Sequence, residues 1–150
     1  MNPRFGPARS EDLATLVSID EGSPQAWSIA AFEEELRHDP PTLVVLRREN
    51  RAAAFVVIRR HPPEMDIVNL AVDPGSRRLG LGLKLLRSLL DQEVSAGLLT
   101  AFLEVRESNA AARNLYLKAG FRESQRRRGF YRNPVEDAVL MSLQMSHQRG

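Results

Sequence analysis

The chain has 150 residues, 43% of them hydrophobic and 27% charged, a composition that supports one packed domain and excludes a disordered chain. It has no cysteine, which excludes disulfides, thiolate metal sites and a cysteine nucleophile; its formal charge of +2 is too small for a dedicated nucleic-acid binder. No apolar run reaches membrane-spanning length and Met1-Asn2-Pro3-Arg4 opens no secretory signal, so the cytoplasm is expected.

In chain order, a first helix is expected from about Ser10 to Asp20, with Ser10 as N-cap, Glu11 and Asp12 at its positive end, and Leu13, Leu16 and Val17 on one face. Gly22-Ser23-Pro24 breaks it. A second helix starts at Ser28, with Ile29, Phe32 and Leu36 facing inward, and stops before Pro40-Pro41. The period then changes. Leu43 to Arg48 and Ala52 to Arg60 are strands joined by the hairpin turn Glu49-Asn50-Arg51. Met65 to Val72 is a third strand, ended by Asp73-Pro74-Gly75. Leu79, Leu83, Leu86, Leu90 and Val94 recur at helical spacing and mark a long third helix closed by Gly97. Leu98 to Val105 is a strand. Asn109 to Ala119 is a helix with Ala112, Leu115, Tyr116 and Ala119 on one face and Gly120 as its left-handed cap. Phe121 to Arg128 and Ala138 to Met145 are the last strands. A strand-helix-strand stretch in the second half implies a parallel pair, hence an α/β fold in one domain, residues 1–150. Such sheets bind ligands at the carboxyl ends of their strands.

His38, His61 and His147 have no metal spacing, and no metal is expected. Arg122 to Arg132 carries five arginines against Glu123. Arg126-Arg127-Arg128 is either an alternating solvated strand or a contact with phosphate or with an acidic or RNA-bearing partner.

Two clusters carry chemistry. The first is Arg77-Arg78-Leu79-Gly80-Leu81-Gly82, which follows a strand and opens the long helix. Glycines permit close backbone approach, and unpaired first-turn amides favour an anion such as a pyrophosphate. Taken alone, the glycines equally suit an ordinary tight turn. G-x-G-x-x-G and Gly-Lys-Ser/Thr are both absent, which weighs against NAD and ATP. The second cluster is Leu103-Glu104-Val105-Arg106-Glu107-Ser108-Asn109, continuing to Leu115-Tyr116 and Ala119-Gly120-Phe121. Alternation puts Glu104 on the face opposite Leu103 and Val105. There it is either solvated or placed as a base, partly desolvated and with a raised pKa, for an attacking amine. Tyr116 stands two helical turns beyond Asn109 and is either a core residue or a proton donor. Asn109 is either a cap alone or a ligand contact.

The run from Asn69 to Gly82, with Ala71-Val72-Asp73-Pro74 ahead of (Arg/Gln)-x-x-Gly-x-(Gly/Ala), resembles the acetyl-CoA motif of the GNAT acetyltransferases. That resemblance implies the GNAT acyl-CoA N-acyltransferase fold, a central mixed β-sheet flanked by helices. It implies that the turn and first helical turn, Arg77, Arg78, Leu79, Gly80, Leu81, Gly82 and Leu83, hold the CoA pyrophosphate. Leu70, Ala71 and Val72 would pair their backbone with the pantetheine arm, and an amide near Val72 would polarise the thioester carbonyl.

Leu-Glu-Val-Arg-x-Ser-Asn with Leu-Tyr and Gly-Phe, the tail Arg127-Arg128-Gly129-Phe130-Tyr131 leading to Glu136-Asp137-Ala138, and Trp27-Ser28 resemble the RimI-type branch of that family. Its members acetylate a ribosomal protein's N-terminal alanine. The resemblance implies Glu104 as general base, Tyr116 as general acid and Asn109 as a CoA contact, with acetyl-CoA as cosubstrate and a protein N-terminus as acceptor; the alternative acceptor is a lysine side chain or a small-molecule amine. No membrane partner and no direct nucleic-acid recognition are implied. Phe130-Tyr131 stands where relatives commonly have two tyrosines, the loop from Tyr131 to Glu136 is short, and Pro24-Gln25-Ala26-Trp27 separates proline from tryptophan. These departures flank the acceptor side. A non-catalytic CoA-binding module, the competing class, would need neither Glu104 nor Tyr116.

Overall fold

The computed structural model describes residues 2–24 and 26–145; Gln25 and His147 lie outside them. The strands are β1 (Arg4–Pro7), β2 (Leu43–Arg48), β3 (Arg51–His61), β4 (Glu64–Val72), β5 (Thr100–Arg106), β6 (Arg122–Tyr131) and β7 (Glu136–Gln144). The helices are α1 (Leu13–Asp20), α2 (Ile29–Glu35), α3 (Leu81–Ser95) and α4 (Ala110–Lys118). Hydrogen-bonded strand order is β1-β2-β3-β4-β5-β7-β6. β4 and β5 pair in parallel, whereas β1–β2, β2–β3, β5–β7 and β6–β7 are antiparallel, so the sheet is mixed. The chain divides into two compact units, residues 1–58 with 69–88, and residues 59–68 with 89–150.

In the first unit, β2 and β3 form a hairpin whose turn residues Glu49 and Asn50 have φ of 51° and 66°. Two positive values match the twist of the flanking strands. Leu43 to Leu46 and Ala52 to Ile58 are buried without alternation, as strands covered on both faces are. Phe32 of α2 sits edge-on to Phe55 of β3 at 5.2 Å, and Leu13, Leu16, Ile19, Val45 and Val57 complete this core.

Arg4-Phe5-Gly6-Pro7 has no apolar alternation to announce a strand; β1 forms through pairing with β2, from Arg4↔Arg47 to Pro7↔Val44. Ser10 is not a cap: it lies in a 3-10 turn, Ser10–Asp12, and α1 begins at Leu13. The Asp12 carboxylate accepts the Arg9 N–H at 2.7 Å and binds the buried Arg47 guanidinium, so the residue expected only to suit the helix end closes the turn. Ile29 does not face inward. It is 53% exposed in the first turn of α2, whose buried positions are Phe32 and Glu35. The buried Glu35 accepts the Thr42 hydroxyl at 2.7 Å. Ser28 does cap α2, accepting the Ala31 N–H.

α3 begins at Leu81, and Leu81, Leu85, Leu86, Leu89, Leu90 and Glu93 form its buried face. The expected stripe was therefore turned by part of a residue spacing. Leu86 and Leu90 hold, Leu83 and Val94 are half-buried, and Leu79 lies before the helix and is 54% exposed.

In the second unit, the parallel ladder of β4 and β5 runs from Glu64↔Thr100 to Ile67↔Leu103. Ala101, Leu103 and Val105 are buried, and Glu104 between them is exposed. Asn109 caps α4, its side-chain oxygen accepting the Ala112 N–H at 3.1 Å. Its end is a complete Schellman turn. Gly120 (φ 107°) donates to the Leu117 carbonyl, Phe121 donates to the Tyr116 carbonyl, and the Phe121 ring meets the Tyr116 ring at 5.7 Å.

Candidate active site

The glycine turn belongs to the first unit. Asp73 is anchored by its N–H to the Ala53 carbonyl at 2.8 Å, and Pro74–Ser76 turn once as a 3-10 segment. Arg48 reaches Ser76 Oγ at 3.2 Å, and Arg51 reaches Asp73 at 3.3 Å. The chain then takes φ of 74° at both Arg78 and Gly80. The Gly80 carbonyl accepts the Lys84 N–H at 3.1 Å. That is the first bond of α3, so the amides of Leu81, Gly82 and Leu83 have no acceptor within the helix. Arg77 and Arg78 are exposed and make no ion pair among the described residues. A Cβ added at Gly80 would meet no protein atom within 4 Å. Free amides at a helix start, two free guanidinium groups and open space at a positive-φ glycine fit a pyrophosphate. Leu70, Ala71 and Val72 are half-buried and lie beyond the last rung of the β4–β5 ladder.

The second cluster belongs to the second unit, and it is more connected than the sequence implied. Glu104 and Arg106 share one face of β5. Across β7 and β6, Arg106 is in line with Ala138 and then Arg127. Arg127 Nε lies 3.5 Å from Glu104 Oε2, and its guanidinium is 5.4 Å from the Phe130 ring centre. Phe130 and Tyr131 meet edge to face at 5.1 Å. Arg106 stacks over the Tyr131 ring at 4.5 Å. Burial raises the Tyr131 phenol pKa, with the Glu104 charge adding to it and Arg106 opposing.

Tyr116 is 6% exposed, and burial, seconded by Tyr131, raises its pKa well above the ordinary tyrosine value. The phenol therefore keeps its proton at neutral pH. No hydrogen bond holds its hydroxyl among the described residues, and no sealed side-chain oxygen or nitrogen there lacks a partner. The hydroxyl tip thus borders accessible space. Asn109 is exposed and caps α4.

Arg127 and Tyr131 lie in the arginine run and the Phe130-Tyr131 tail, and Arg106 in the Glu104 cluster, but their partners stand across strands or across a hairpin, where periodicity and spacing give no signal. Among the described residues no group of three or more His, Asp or Glu could hold a metal.

Similarity to known proteins makes the chain an acetyl-CoA-dependent N-acetyltransferase. The chain belongs to the acetyltransferase (GNAT) family, which matches residues 11–121. It is similar to the ribosomal protein bS18-alanine N-acetyltransferase of Salmonella typhimurium, at 43% identity over 103 residues, 67% of this chain and 70% of that one. The crystal structure of the ribosomal-protein-S18-alanine N-acetyltransferase from Escherichia coli superposes with a TM-score of 0.86 at 33% identity, over 98% of this chain and 96% of the other. Ard1 from Thermoplasma volcanium shares the fold, with a TM-score of 0.89 at 22% identity over 98% of this chain and all of that one.

Proposed function

We propose that this enzyme acetylates the α-amine of a protein N-terminus in the cytoplasm, with the N-terminal alanine of a small-subunit ribosomal protein as acceptor and residues 1–150 acting as one catalytic domain. The acceptor follows the relatives from Salmonella typhimurium and Escherichia coli, whose names state it. No helix among the described residues is long and apolar enough to cross a membrane. The observation that carries the reading is Glu104, an exposed carboxylate between the buried Leu103 and Val105, facing Arg127.

An ammonium has no lone pair, so a proton must leave before the amine can attack. In this reading Glu104 receives it, directly or through one water. An α-amine with a pKa near 8 is already about one-tenth neutral at pH 7, whereas a lysine side chain near 10.4 needs far more help. Bound acetyl-CoA supplies the activated acetyl group as a thioester. Arg77, Arg78 and the amides of Leu79, Gly80, Leu81, Gly82 and Leu83 hold its diphosphate, and the backbone of Leu70, Ala71 and Val72 lines its arm. Asn109 adds a contact from its exposed side. Tyr116 keeps a proton on its phenol oxygen for the departing sulfur. With no cysteine in the chain there is no cysteinyl acyl-enzyme, and transfer is direct. Positioning and oxyanion stabilisation carry most of the barrier reduction.

The test is turnover on three peptides read by mass spectrometry: an Ala-starting ribosomal peptide, the same peptide with its α-amine blocked and a lysine retained, and a lysine peptide. Turnover is expected on the first alone. Equal turnover on free and blocked forms reassigns the enzyme to side-chain amines.

A further inference from the structure

The β6–β7 hairpin is irregular. Register passes from Arg127↔Ala138 to Tyr131↔Glu136, which places two extra residues on β6. Gly129 turns the bulge with φ of 61°, and its N–H donates to Asp137 Oδ1 at 2.9 Å. Bulges of this kind re-aim side chains beside functional sites. Here the re-aimed residues are Phe130 and Tyr131.

The ladder between β5 and β7 ends at Arg106↔Ala138, and the Arg106 side chain ties the hairpin tip beyond it to β5. That side chain is 10% exposed. It donates to the Arg132 carbonyl at 2.9 Å, the Pro134 carbonyl at 3.1 Å and Glu136 Oε1 at 3.2 Å, while its plane covers the Tyr131 ring. The other Glu136 oxygen accepts the Ser108 N–H, so the far end of the hairpin is bound to the segment that leads into α4. A planar fork with several fixed donors can do all this at once; a lysine cannot. Glu104 is two residues before Arg106 on the same face. Arg127 lies against both Glu104 and the Phe130 ring, and Phe130 meets Tyr131, so Tyr131 stands on the Glu104 side of the hairpin.

We propose that Arg106 is a positioning residue for the acceptor: it clamps the hairpin so that Tyr131 walls the approach to Glu104 and orients an incoming peptide, leaving acetyl-CoA binding untouched. The proposal rests on the reading of Glu104 as the base for a peptide amine. Arg106 itself touches no reacting atom in this scheme. Its loss leaves the carbonyls of Arg132 and Pro134 to water and frees Tyr131 from its stack.

The experiment compares Arg106→Gln, Arg106→Lys and Tyr131→Phe with the parent on two acceptors, an Ala-starting hexapeptide and alaninamide, which has no peptide chain to orient. Arg106→Gln is expected to lower kcat/KM for the hexapeptide by about ten- to a hundredfold, chiefly through KM, because small misplacements cost that much. Alaninamide turnover and acetyl-CoA affinity should stay within about threefold of the parent. Arg106→Lys should recover only part of the loss. Amide hydrogen exchange supplies a readout independent of activity: residues 129–137 should exchange faster in Arg106→Gln, with α4 unchanged. Unchanged hairpin exchange overturns the clamp. Equal losses on both acceptors reduce Arg106 to a structural role and overturn the proposal. Full turnover in Glu104→Gln is a different failure; it removes the base and leaves the hairpin measurement standing.

Discussion

Arg127 Nε stands 3.5 Å from Glu104 Oε2, on strands that are not neighbours in the sheet, because β7 runs between them. The pair is open to water, with about half of the Arg127 side chain and a third of Glu104 exposed. An exposed pair of this kind adds little stability. Its consequence is chemical, since a cationic amine approaching Glu104 meets a carboxylate that already faces a guanidinium.

Replacing Glu104 with glutamine keeps the size and removes the basicity. Turnover at neutral pH should fall roughly a hundred- to ten-thousand-fold, the usual span for general-base catalysis. Part of the loss should return at higher pH, where the amine deprotonates unaided. pH–rate profiles check this. An undiminished rate with an unchanged acidic limb assigns the proton to another group or to bulk water.

Tyr116→Phe should slow the chemical step with acetyl-CoA affinity within a few fold of the parent, since no described residue bonds the lost hydroxyl. It also carries a stability signature. Burial raises the Tyr116 pKa in the folded chain, so folding is favoured fully below the unfolded value, about 10, and that part is lost as pH rises towards the folded value. Thermal melts above pH 10 should therefore show Tyr116→Phe losing less stability than the parent. Identical alkaline melts would contradict a desolvated phenol.

At Gly80 the restriction is conformational, because φ is 74° and nothing crowds an added Cβ. Gly80→Val forces a branched residue into the left-handed region at a cost of about 1–3 kcal/mol, or reshapes the turn. The variant should fold, and the melting-temperature rise produced by acetyl-CoA in the parent should largely vanish. Calorimetry giving the parent affinity in a folded Gly80→Val protein removes the turn from the binding site.

The Asp12–Arg47 pair, at 2.6 and 2.8 Å and buried, holds the first turn against β2. Burial pushes the Asp12 carboxyl up, but the Arg47 hydrogen bond, the Arg9 N–H and both arginine charges outweigh it, and the net pKa is lowered. A lowered folded value stabilises the fold above the unfolded pKa, about 4, and that stability is lost as pH falls through the folded value. Asp12→Ala strands a buried guanidinium and should cost about 3–5 kcal/mol at pH 7. Denaturant titrations should show the gap between parent and variant closing below pH 4. A constant gap down to pH 2 means the pair contributes by packing alone.

Local signals in the chain were enough for much of this protein. The caps Ser28 and Asn109, the Glu49-Asn50 hairpin turn, the Gly120 ending beside Tyr116 and the isolation of Glu104 on β5 all depend on contacts within a few residues. Periodicity, capping and φ preference operate over that range, so the residues themselves declare them. The placement of β1 depends on β2, some forty positions away, and its own four residues have no pattern to announce it. The partners of Asp12, Glu35 and Arg106 were likewise chosen by the fold. A carboxylate or guanidinium looks the same in sequence whether it meets water or a buried counter-charge. Tertiary structure alone decided that Arg127 faces Glu104 across β7 and that Arg106 holds the hairpin bearing Tyr131, because strand order and a two-residue bulge set which side chains meet.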